Sequence, residues 1–207
     1  MSGPARHRDP ARKERILAAA AELVARRGFH AVSMAEIGAA AGIVGSGIYR
    51  HFDSKVAILA ALLDRVMERL LRNATRLVQE LPGDRSALAA LISDQIVFVI
   101  DDRRLVQVYQ REIHNLPDED RRRLRRKQRH YIEEWVHVVV GLRPDLSDVE
   151  ARTAVHAAIG AIQSVAYFHS GLPRERLVVL LADAAHACLG LPASPPSRSE
   201  LSSAPGA

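Results

Sequence analysis

Two glycines, Gly28 and Gly42, cut the first fifty residues into three helical pieces, and this punctuation constrains the fold more than any other feature. From about 11 to 27 the apolar residues Ile16, Ala20, Leu23 and Val24 fall at i, i+4, i+7 and i+8, one face of a helix. Gly28 suits the position just past its end, and Arg26 and Arg27 suit the negative end of its dipole. Ser33 then opens a second helix through the capping box Ser33-x-x-Glu36, and Gly42 stops it after two turns. A third short piece, about 44–51, follows within a few residues. Three helices in so little chain, the last two joined by a tight glycine-containing turn, form a helix-turn-helix.

Helix signals continue through the rest of the chain. Asp53 or Ser54 can cap a long helix running to about Glu80, closed by Pro82-Gly83. Further helices are expected over 84–101, 103–115 and 117–141, the last with Pro117 in its first turn and Gly141 at its end. Ser147-x-x-Glu150 is a second capping box, opening a helix to about Ser170, and Gly171 and Pro173 precede a final one over 173–189. The expected architecture is all-α with about nine helices. Residues 1–10 read as a flexible basic arm, 11–58 as the helix-turn-helix module, 59–190 as a helical body, and the Pro/Ser-rich 191–207 as a disordered tail.

Composition supports helix over strand, since aromatics are only 4% of the chain. The single cysteine, Cys188, allows no internal disulfide, no apolar run reaches the roughly 20 residues of a membrane helix, and the charged N-terminus lacks an apolar signal region. A soluble, cytoplasmic chain is expected. Charge is uneven: residues 1–58 hold nine Lys/Arg against five Asp/Glu, whereas the remainder is close to balanced at 20 against 19. A basic module on a near-neutral body suits a polyanionic partner.

The stretch from Ile16 to Lys55 carries a specific pattern. It contains the Gly28-Phe29 break, Val32-Ser33-Met34-Ala35-Glu36-Ile37, Ala41-Gly42-Ile43, and Gly47-Ile48-Tyr49-Arg50-His51-Phe52-Asp53-Ser54-Lys55. In these residues the chain resembles the TetR family of transcriptional repressors. Two departures stand out. Val44 occupies the place where the family has Ser or Thr to cap the recognition helix, and Val56-Ala57 replaces a frequent acidic pair. A lost cap typically costs about 1 kcal/mol, so the recognition helix is expected to start late, at Ser46, or to settle only on DNA.

A helix entering the major groove presents its N-terminal residues to base edges, here Val44, Gly45, Ser46 and Gly47. Ser46 can contact a base or phosphate and Val44 a thymine methyl, so much of the affinity is expected from phosphates and some specificity from DNA shape. The resemblance implies that Tyr49, His51 and Lys55 clasp phosphates and that Ser33 and Met34 set the second helix against the backbone. Arg6, Arg8, Arg12 and Lys13 add arm contacts, while Arg50 faces base, phosphate or solvent. Phe52 reads as module core.

In the body, Leu124, Tyr131, Trp135 and Val138 share a helical stripe, which is core first and pocket wall second. Gln95, Phe98, Tyr109, Glu112, Gln163 and Tyr167 complete a candidate cavity, mostly apolar with a few polar anchors, which suits a lipophilic effector. The run from Arg121 to Arg129 is either a solvated helix face or an anion site beside the pocket mouth, with Arg122 and Arg126 as its candidates. A looser resemblance to relatives answering to acyl-CoA or steroid-type CoA thioesters favours a long-chain or polycyclic acyl-CoA as effector. By resemblance, the two C-terminal helices pair with their copies in a homodimer through Ala157, Ala158, Ala161, Ile162, Val165, Leu177, Leu180 and Leu181.

Enzyme readings find no support. Gly45-Ser46-Gly47 is not a nucleophile elbow, and there is no P-loop or dinucleotide fingerprint. His130 and His137 share a helix face but lack companions at metal-ligand spacing, so no metal and no cofactor is expected. The remaining alternative is a helical lipid or acyl-CoA carrier without a DNA role, against which the basic module speaks.

Overall fold

The structure, a computed structural model, describes residues 10–192; the expected arm, with Arg6 and Arg8, and nearly all of the expected tail lie outside the described residues. Among the described residues there are no strands. Helix α1 spans Pro10–Arg27, α2 Met34–Ala40, α3 Lys55–Glu80, α4 Asp84–Asp101, α5 Arg103–Glu112, α6 Asp118–Leu142, α7 Asp148–Gln163 and α8 Arg174–Cys188. A 3₁₀ segment at Gly45–Arg50 brings the helical elements to nine, and single 3₁₀ turns at Ile113–Asn115 and Ser164–Ala166 extend α5 and α7. The expected helix over 147–170 is therefore shorter: at Gln163 its α geometry gives way to the tighter turn, and Gly171 follows at φ 68°.

Local chemistry accounts for these boundaries. Both capping boxes form, with Ser33 and Ser147 accepting from the backbone N–H of Glu36 and Glu150 and each glutamate returning a bond to the cap residue's N–H. The Ser33 hydrogen bonds, the largest cause, and Arg27 hold the Glu36 carboxyl down at about 2. Ser54 caps α3 by accepting from Ala57 N–H at 3.0 Å. Pro117 and Pro173 sit at the N-cap positions of α6 and α8, one place earlier than the first helical turn.

The recognition piece is the exception. Val44 at its N-cap offers no side-chain bond, Gly45 has φ 57°, and the chain winds as a 3₁₀ helix, not an α-helix. Two glycines and a missing cap explain this: neither the propensity nor the first-turn bond that would set α geometry is present. Val44→Ser should raise stability by about 1 kcal/mol in urea unfolding by supplying that cap; an unchanged midpoint would show that the cap is not what the segment lacks.

One continuous apolar core runs from Ile16 and Ile37 through Leu63, Ile92 and Trp135 to Ile162 and Leu189. Helix α3 packs on α6 and α4, α7 on α8 and α6, and α1 on α2, α3 and α5. Thus α1 is gripped by both body helices that meet it, which ties the orientation of the helix-turn-helix to the body.

Candidate DNA interface and effector cavity

The helix-turn-helix presents its polar face outward. Val44 is 94% exposed and Tyr49 56%. Gly45, Ser46, Arg50 and Arg12 are exposed as well, Gly47, His51 and Met34 are half-buried, and Ile48 and Phe52 turn inward as core. A Cβ at Gly47 would meet Ile43 Cγ2 at 2.8 Å, so a small residue there lets the segment lie against the turn. Ser33 is exposed, but its hydroxyl donates to Glu36 at 2.7 Å and is committed to the cap.

Lys55 requires a correction. Its ammonium donates to the carbonyls of Phe29 at 2.7 Å, Val32 at 2.6 Å and His30 at 3.5 Å, and lies 4.4 Å from the centre of the Phe29 ring. All three of its donors are directed at the turn between α1 and α2, so Lys55 clamps that turn and is not a free phosphate ligand. Lys55→Ala should cost about 1–3 kcal/mol of stability by leaving these carbonyls unmatched, with the salt slope of DNA binding unchanged. Tyr49→Phe should weaken binding to all sequences alike, read by anisotropy across a salt series. A flattened slope in Lys55→Ala at wild-type stability would restore the phosphate role.

The body encloses a cavity of about 170 Å³ between α3, α4, α5, α6 and α7. Val66, Met67, Leu70, Phe98 and Ile159 form its apolar walls, and Gln110, Gln128, His156 and Gln163 supply polar groups. Tyr109 also lines it. Its hydroxyl is buried without a hydrogen-bond partner, and that burial pushes its pKa up to about 12, opposed by the nearby Arg125. A cavity-lining residue whose buried hydroxyl is unmatched is a candidate anchor for a ligand carbonyl.

Of the residues singled out from sequence, Phe98, Tyr109, Tyr131 and Gln163 line this cavity. Gln95 and Trp135 are fully buried behind it, with Gln95 accepting from the Tyr131 hydroxyl at 2.6 Å and Trp135 meeting the Tyr131 ring edge-on at 6.2 Å. Tyr167 is half exposed and bonds Gln110 at the rim. Arg122 and Arg126 are exposed on α6 and do not line the cavity, because Arg123 and Lys127, one residue further on, face Asp64 at 3.1 and 3.0 Å. Arg125 is the member of the cluster that acts on Tyr109, and stepping back along α6 from Tyr131 through Gln128 to Arg125 would have found it.

Glu112 is displaced in role. It is buried outside the cavity, accepting from the Phe29 N–H at 3.2 Å and from Asn115 at 2.7 Å. The helix that lines the cavity through Val106, Tyr109 and Gln110 thus ends in a carboxylate bonded to the backbone of the DNA-binding module.

Of the residues expected at the interface between copies, Ala157 and Leu180 are exposed and Ala161 and Leu177 half-buried. Ala158, Ile162, Val165 and Leu181 are already buried in this chain's own core and have no surface left to offer a partner.

A helix-turn-helix with an exposed reading face, joined to a helical body around a ligand-sized cavity, defines a DNA-binding transcriptional regulator with a ligand-binding domain. The comparisons place it further. A family model described as "Bacterial regulatory proteins, tetR family" matches residues 16–62, and "Tetracyclin repressor-like, C-terminal domain" matches 83–169, together well over half the chain. The chain belongs to the TetR family of transcriptional regulators. It is 30% identical over 110 residues, 53% of this chain and 54% of the relative, to the transcriptional repressor KstR2 of Rhodococcus jostii. The chain thus spans about half the length of such curated relatives. Among solved structures it resembles FadR from Bacillus subtilis in complex with stearoyl-CoA, with TM-score 0.69, 22% identity, and 87% of this chain and 97% of that one covered. It also resembles AibR in complex with isovaleryl coenzyme A and operator DNA, with TM-score 0.71, 22% identity, and 89% and 99% covered. Among the described residues no helix is long and apolar enough to cross a membrane.

Proposed function

We propose that this regulator is a homodimeric repressor that binds a palindromic operator and is released by a lipophilic acyl-CoA thioester. The observation that carries the ligand response is the bond from Phe29 N–H to Glu112, at the end of a helix whose other turns line the cavity. A ligand can shift the reading heads only by binding one arrangement better than another, and this contact makes α5 and the module move together. Tyr109 is suited to hydrogen-bond the thioester carbonyl, and Arg125 to meet the negative charge of the CoA beyond the mouth. The resemblance to complexes containing stearoyl-CoA and isovaleryl coenzyme A supports the same class.

The test uses an operator selected by the full-length protein from random duplex DNA. Acyl-CoA thioesters should release it, and the matching free acids should act weakly. Release by free acids as readily as by thioesters would remove the CoA from the reading and leave only a lipophilic pocket. A carrier without a DNA role would select no operator at all.

A further inference from the structure

A second cavity, about 340 Å³, lies where the DNA-binding module meets the body. Its floor is apolar, made by Leu17, Ala18 and Ala21 of α1 with Leu62 and Leu105. Its rim is charged and the charges are paired: Arg65 with Glu14 and Arg104 with Glu22 across the joint, and Arg69 with Asp102 at 2.6 Å within the body. Val66 lines both this groove and the effector cavity. Beside it, Phe98 faces the effector cavity while the Arg69 guanidinium, on the groove side, lies 4.9 Å from the centre of its ring. The two spaces thus share Val66 as a common lining residue.

The sizes then matter. A cavity of about 150 Å³ takes a benzene-sized group. At about 170 Å³ the effector cavity alone therefore accommodates a short acyl group and not a long one. Together with the groove the available space is about three times larger, enough for a long chain.

Resting on the acyl-thioester reading, we propose that the groove is the subsite for the far end of a long acyl chain, which reaches it by displacing Val66. The chain is apolar at its end, because the floor offers alkyl groups and the rim charges are already paired. A chain seated there lies directly against α1 and separates it from α3 and α5, straining the ion pairs that hold the module to the body. Short thioesters fill only the first cavity. Binding and release of DNA are therefore separable by chain length.

The experiment compares butyryl-, octanoyl- and palmitoyl-CoA at saturation, with binding followed by calorimetry and release from the selected operator by anisotropy. In the wild type palmitoyl-CoA should weaken operator binding about tenfold more than butyryl-CoA, within the usual range of allosteric coupling. Ala18→Phe, which fills the groove from the exposed side of α1, should reduce the palmitoyl effect to the butyryl level while butyryl-CoA still binds. Val66→Ala, which thins the wall, should move the onset of release to shorter chains. Each variant's operator affinity without thioester serves as its own baseline. Equal release by all three thioesters in the wild type, or a palmitoyl effect untouched by both substitutions, overturns the groove subsite and leaves the acyl-thioester reading standing. Failure of every thioester to bind removes that reading, and the subsite with it.

Discussion

Leu180→Glu should convert the protein to a monomer and weaken operator binding by about a hundredfold or more. Leu180 is 47% exposed on α8 in a strip that also exposes Val179 at 48%, with Phe168 at 53% and Leu172 at 42% in the turn before that helix. Large exposed side chains of this kind, on α8 and in the turn before it, are what a second copy would bury. Two recognition segments on one palindrome gain from linkage an effective concentration that a single segment lacks, and such gains reach about 10²–10⁴. A carboxylate at the centre of the buried strip would be left unpaired, which an interface of this type does not tolerate. Ala161→Glu tests the neighbouring helix, with a smaller effect because Ala161 is half-buried in the chain itself. Light scattering and operator anisotropy read both consequences. A Leu180→Glu dimer with wild-type affinity would place the interface elsewhere.

Glu112→Ala should uncouple the cavity from the DNA. The Phe29 N–H is left without its acceptor at 3.2 Å, and Asn115 loses its partner at 2.7 Å. Leaving such groups unmatched in a buried setting costs about 1–3 kcal/mol of stability, visible in urea unfolding. The larger effect is on regulation. Thioester binding should persist, since Glu112 does not line the cavity, while release of operator falls from the coupling range of about 5–150-fold to near unity. Glu112→Gln keeps an acceptor for the Phe29 N–H and should retain most of the response. If Glu112→Ala releases DNA as the wild type does, coupling bypasses this contact and runs through the packing of α1 on α3 and α5.

How far these features were legible follows from the range of the signals behind them. Gly28, Gly42 and the two Ser-x-x-Glu boxes act within one helical turn, and each stands in the structure where the sequence places it. Of the two candidate caps for α3, Asp53 and Ser54, the structure uses Ser54. The inward side of the module was equally plain, because Ile16, Ala20 and Val24 repeat on one face. What was not legible depended on contacts between distant segments. Lys55 matches a phosphate ligand by position, yet it is taken up by carbonyls 23 to 26 residues away. Glu112 sits among pocket candidates in sequence, but its partner Phe29 is 83 residues distant. On α6 the arginine run gave no phase of its own. Asp64, 59 residues before Arg123, decides which of the basic residues turn inward and so leaves Arg122 and Arg126 outside. On α7 and α8 the small and apolar residues serve two faces at once. Only burial separates those that pack within the chain, such as Ala158 and Ile162, from those left over for a partner, such as Ala157 and Leu180.

Linkage between the cavity and the reading heads is reciprocal and so measurable from either side. The affinity of palmitoyl-CoA for the protein should be measured by calorimetry with and without saturating operator, alongside operator affinity with and without saturating palmitoyl-CoA. Each ligand should weaken the other by the same factor, within the range of about 5–150-fold. Tight binding of both ligands at once, with neither affinity altered by the other, would contradict that linkage.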